Sequence, residues 1–196
     1  MRWLTLYIRS RQVPASLAVV VISTVFVWVL AREGSEGPSD PRLPALILGT
    51  GTMAASTGLS GQDLALDRTA AIRWMPRRAA HVLLASVLIG AVLIAVQTIG
   101  EDMATTGFVV RDCAGLMGLA ALGAALLGSQ YAWSLPFAWL AFSLFAPPPT
   151  SAVMEVATWM LLPPGSPAGT WTALGLALIG TTTYAIAGPR PNAVAS

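Results

Sequence analysis

The sequence predicts an all-α membrane protein, a bundle of six transmembrane helices. Of its 196 residues 55% are hydrophobic and only 10% are charged, which suits a chain that meets hydrocarbon rather than water. Leu, Ala, Val, Ile and Gly gather in long runs separated by Gly/Pro-rich breaks, without the alternation of apolar and polar residues that marks an outer-membrane strand. The arginines fall unevenly between the breaks. With six spans and the N-terminus inside, Arg2, Arg9, Arg11, Arg68, Arg73, Arg77, Arg78 and Arg190 lie on the cytoplasmic side and Arg32 and Arg42 outside.

Composition also narrows function. The net charge of +2 arises from arginine alone against nine carboxylates, so nucleic acid is not implied as a partner. No lysine occurs, which excludes a Walker A phosphate loop on this chain. One cysteine, Cys113, and one histidine, His81, leave no disulfide within the chain and no metal cluster, so neither cofactor nor metal is expected here. The first apolar run follows a basic arm and is long enough to remain as a span, so a cleavable leader is not expected.

A single transmembrane domain over 1–190 is expected, followed by a disordered tail at 191–196. Residues 2–11 mix Trp3, Leu4, Tyr7 and Ile8 with three arginines, the composition of a helix in the headgroup region. Pro14 bends the chain into span one, 16–31, and a polar loop rich in Gly, Pro and carboxylates follows. Span two, 43–60, holds Gly49, Gly51, Ala54, Ala55 and Gly58, small residues that allow close helix contact. Asp63 then caps a short helix that Pro76 ends near Met75. Spans three and four cover 81–98 and 105–128, the latter interrupted by Arg111 and Asp112. Span five, 131–145, is short and carries Pro136. Between the prolines at 147–149 and 163–164, the thirteen residues 150–162 suit a re-entrant half-helix better than a span, although the arginine distribution also allows seven spans. Span six is 170–188.

This order, an interfacial arm, a helix between spans two and three and a half-helical excursion before span six, resembles the transmembrane subunit of ABC-2 type exporters. In sequence the resemblance lies in Leu66-Asp67-Arg68-Thr69-Ala70 through Arg78 and His81, and in Arg111-Asp112 followed by Gly115, Leu116, Gly118, Leu119, Leu127, Gly128, Ala132, Trp133 and Pro136. It implies that the arm is an elbow helix and the loop a coupling helix docking on an ATPase through Asp67, Arg68, Thr69 and Arg73. ATP and Mg²⁺ would then be held by that separate ATPase. A second copy of this chain or a similar permease, together with membrane lipid, completes the expected partners. The resemblance places the chain in a bacterial cytoplasmic membrane with both termini inside, exporting an amphipathic or hydrophobic substrate.

Charges inside a span face a bundle interior, a cavity or each other. Arg111 and Asp112 are therefore candidates for the translocation path or a dimer interface, with snorkelling to the outer headgroups as the plainer reading. Glu155 on the half-helix is a candidate for the same path, against an ordinary solvent-facing carboxylate. Ala120, Ala124 and Gly128 make a small-residue face, and Trp28, Trp133 and Trp171 suit interfacial anchors. Two other classes stay open. Gly58-Leu59-Ser60-Gly61 matches the GxSG of rhomboid-type intramembrane serine proteases with His81 as base, although the two flank one loop. A non-catalytic scaffold or immunity protein is the other.

Overall fold

The computed structural model describes residues 40–59, 74–98 and 103–190, together with Ala18, Val21, Ile22 and Val25, which are helical. The interfacial arm, most of span one, the loop residues 60–73 and the tail lie outside the described residues. All regular structure among the described residues is helical.

Six α-helices follow in order: α1 (Arg42–Ser56), α2 (Trp74–Gln97), α3 (Thr106–Leu127), α4 (Ser134–Phe145), α5 (Ala152–Ala157) and α6 (Pro167–Ala187). Short 3₁₀ turns at Thr57–Leu59, Ser129–Tyr131 and Trp159–Leu161 extend or join them. Their starts are set by local chemistry. The Asp40 carboxylate accepts from Arg42 N at 3.0 Å, Thr105 Oγ1 from Phe108 N at 3.3 Å, and Ser166 Oγ from Gly169 N at 3.3 Å with Pro167 opening α6. Each side chain occupies an N–H that no carbonyl of the helix can reach. Gly128 and Gly188 end α3 and α6 at positive φ, 102° and 71°, a conformation that a Cβ disfavours.

One expectation is corrected here. Pro76 does not end a helix at Met75: the helix that holds Trp74 and Met75 continues through the proline to Gln97, 24 described residues in all.

Among the described residues two helices are long and apolar enough to cross a membrane, α2 and α3. At 1.5 Å per residue they span about 36 and 33 Å, against about 30 Å of hydrocarbon. α6, at 21 residues, is close to them in length. α4 has twelve residues, about 18 Å, because Ala132 and Trp133 belong to the turn before it.

α3 is the central element. It packs against α1, α2, α4 and, most extensively, α6. Gly118 and Gly180 set that last contact: a Cβ on Gly180 would collide with the Gly118 carbonyl oxygen, and one on Gly118 with the Leu176 carbonyl. On other faces of α3, Gly90 of α2 meets Cys113 and Val109, and Gly123 meets the Ala132 backbone. Ala120, Ala124 and Gly128 are all buried within the chain. α2 shows the opposite pattern. Val82, Ile89, Gly90 and Leu93 face the bundle, whereas Leu83, Leu84 and Val87 are exposed.

Gly118→Ala is expected to destabilise the chain by about 1–3 kcal/mol, because a backbone carbonyl cannot step aside for the added methyl. Gly175 lies on the same α3-packed helix α6 with open space around its Cβ position, so Gly175→Ala should be neutral or stabilising by about 0.5–1 kcal/mol. Denaturant unfolding of both variants in mild detergent checks the pair.

Candidate functional site

A buried polar knot lies near the start of α3. Thr105 caps the helix, so Arg111 and Asp112 fall in its second turn, with their side chains 6% and 0% exposed. Arg111 Nε donates to Asp112 Oδ1 at 2.7 Å. The two remaining nitrogens reach the excursion between α4 and α6: Nη1 donates to the Pro163 carbonyl at 2.9 Å and Nη2 to the Leu162 carbonyl at 2.9 Å. The guanidinium also lies over the Phe108 ring, one turn earlier, 5.1 Å from its centroid. A buried cation is tolerated only when it is paired and hydrogen-bonded, and here one side chain meets a carboxylate, two carbonyls and a π face.

The knot holds an irregular segment. After α4 the prolines at 147–149 forbid a continuing helix, Ser151 caps the six-residue α5, and the chain passes through Thr158 into the turn Trp159–Leu161. The Ala157 carbonyl accepts from Trp139 Nε1 of α4 at 2.8 Å and from Ser143 Oγ at 3.4 Å. Trp159 is fully buried with its ring on Gly115, one turn beyond Arg111 on α3, where a Cβ would overlap the indole. Gly169 on α6 leaves room for the same group, since a Cβ there would lie 3.0 Å from Arg111 Nη1 and 3.2 Å from the Trp159 carbonyl. Two glycines, Gly115 and Gly169, thus shape a seat for one arginine and one tryptophan.

Beside the knot is a cleft of about 240 Å³, walled by Phe108, Met103, Leu161, Leu162 and prolines 41, 44, 163 and 164. Its lining is mostly apolar. Gln97 Nε2 donates to the Ala104 carbonyl at 3.1 Å and closes the α2–α3 connection at the cleft's edge.

The remaining candidates separate from this site. Glu155 is exposed on α5 and does not join Arg111 and Asp112. Asp67, Arg68, Thr69 and Arg73 lie outside the described residues, as does Ser60. His81 is half-buried on α2. Among the described residues no group of three or more His, Cys, Asp or Glu could hold a metal. Sequence reasoning gave Trp159 no role and could not name Leu162 or Pro163, which act through backbone oxygens. The available signal was a tryptophan inside a proline-bounded segment, opposite a glycine in a span. No known protein family, curated protein or solved structure matches the chain.

Arg111→Met is expected to destabilise the chain by about 3–5 kcal/mol, because it leaves Asp112 buried without its cation. Arg111→Met/Asp112→Leu should recover a large part of that loss, since two apolar groups leave no uncompensated charge. A double-mutant cycle in denaturant measures the difference.

Proposed function

We propose that this chain is the transmembrane subunit of an ATP-driven exporter, a six-span bundle with both termini in the cytoplasm, acting as a homodimer or beside a similar permease. A separate ATPase subunit supplies ATP hydrolysis and Mg²⁺. The observation that carries this reading is the excursion 146–166, a return between α4 and α6 made of short helical turns and irregular backbone and held against α3 by Arg111. In a bilayer, irregular backbone is stable only where protein or a watery cavity satisfies its polar groups, so such a segment marks a place where a path can open.

The mechanism follows from how the loop and the excursion are linked. In sequence the proposed docking residues directly precede α2, and α2 is an unbroken rod of about 36 Å. At its far end Gln97 bonds to Ala104, a residue of the cleft wall. Gly90 seats the rod on α3 next to Val109 and Cys113, within a turn of the Arg111–Asp112 pair. Closure of an ATPase on Asp67, Arg68, Thr69 and Arg73 would displace the near end of this lever. The far end would then shift the wall shared by α2, α3 and the excursion, and the apolar cleft suits an amphipathic or hydrophobic substrate.

Affinity purification of the chain from its native host in mild detergent tests this, once as wild type and once as Arg68→Glu/Arg73→Glu. An ATPase that accompanies the wild type and is lost from the double variant is the expected result. A chain that carries no ATPase in either form sinks the exporter reading.

A further inference from the structure

The outward face of α2 carries a continuous stripe, Ala80, Leu84, Val87, Leu88, Ala91 and Ala95, every member exposed. From Ala80 to Ala95 it runs about 22 Å, more than the roughly 15 Å thickness of one leaflet. Arg77 heads the same stripe, one turn before Ala80, and its guanidinium lies 5.7 Å from the centroid of the Trp74 ring. In the same turn Arg78 packs on the end of α6, where a Cβ at Gly188 would meet Nη1 at 2.6 Å, and Arg190 donates to the Leu126 carbonyl nearby. Three arginines thus converge on one end of the bundle. The described carboxylates lie elsewhere: Asp40 and Glu155 at the opposite end and Asp112 in the interior.

We propose that this face of α2 binds an anionic phospholipid, its phosphate on Arg77 beside Trp74 and one acyl chain along Leu84, Val87 and Ala91. Charge complementarity selects the headgroup, because guanidinium binds phosphate through paired hydrogen bonds and Trp74 supplies the amphipathic ring that suits the headgroup level. Continuity selects a lipid over a free anion, because the charge opens directly onto apolar surface long enough for a chain. The proposal rests on α2 lying in a bilayer and not on what the chain transports.

Native mass spectrometry of the purified chain, exchanged into neutral detergent with equal amounts of dioleoyl phosphatidylglycerol and dioleoyl phosphatidylcholine, provides the test. Wild type should retain the glycerol lipid about fivefold over the choline lipid, the ratio that about 1 kcal/mol per arginine gives. Arg77→Gln should bring the ratio near one, while Arg42→Gln, an exposed arginine at the other end, should leave it unchanged. Inorganic phosphate should not displace the retained lipid. Parity in the wild type, an unaltered ratio in Arg77→Gln, or displacement by phosphate alone would overturn the proposal. So would a Leu84→Cys chain that crosslinks to a second copy through that cysteine in native membranes, since the stripe would then be a subunit interface.

Discussion

The contact of α3 with α6 at Gly118 and Gly180 is the constraint on which the rest of the bundle depends. There two backbones meet with no side chain between them, and the Gly118 carbonyl oxygen occupies the space a Cβ of Gly180 would need. Bringing the axes this close lets α3 be surrounded: Gly90 admits α2 on another face, Gly115 admits the Trp159 ring and Gly123 admits the turn before α4. A helix enclosed in this way gains its stability from many short-range contacts, each tiny and together large. It also fixes where its own polar residues can point. Arg111 and Asp112 lie on the packed side of this helix, so their partners come from within the chain.

That necessity explains the excursion. The segment 146–166 satisfies only part of its own backbone, because its prolines at 147–149, 163 and 164 keep its helical stretches short. Carbonyls at Ala157, Leu162 and Pro163 are therefore available as acceptors, and the surrounding helices provide Trp139, Ser143 and Arg111 as donors. The two deficits cancel. A cation that would be costly alone meets carbonyls that would be costly alone, and the carboxylate at the next position neutralises the remaining charge. The far end of the bundle shows the same economy on a smaller scale. Tyr184 OH donates to the Leu59 carbonyl at 2.8 Å, and Arg190 caps the last carbonyls of α3 through Ala124 and Leu126.

How much of this was legible in the sequence depended on whether the signal was local. The apolar run expected over 105–128 is α3 at Thr106–Leu127, and that expected over 170–188 is α6 at Pro167–Ala187, which starts earlier because Ser166 caps it and Pro167 fits its first turn. The thirteen-residue segment before the last helix was equally readable from its flanking prolines, and it forms no span-length helix. Pro76 was misjudged as a stop because proline disfavours a helix without always ending one, and α2 runs through it to Gln97. At the site, the charged pair was visible as adjacent letters within an apolar run. Its acceptors, 51 and 52 residues away, were not visible, since a backbone carbonyl has no residue signature.

A further physical point concerns why this bundle uses close glycine contacts in one place and an ionic knot in another. In a bilayer, burying leucine against leucine gains little, because lipid is as apolar as the side chain, so position must come from tight packing or from hydrogen bonds. Tight packing is insensitive to small displacement only when both surfaces are rigid, as α3 and α6 are. An excursion of short turns has no such rigidity, and directional bonds are the remaining way to hold it in one place. Those bonds are few and close together. Arg111 alone makes both contacts from α3 to Leu162 and Pro163, while Trp139 and Ser143 converge on one carbonyl. With the Trp159 ring seated on Gly115, these bonds hold the segment to α3 and α4 where its own short turns could not.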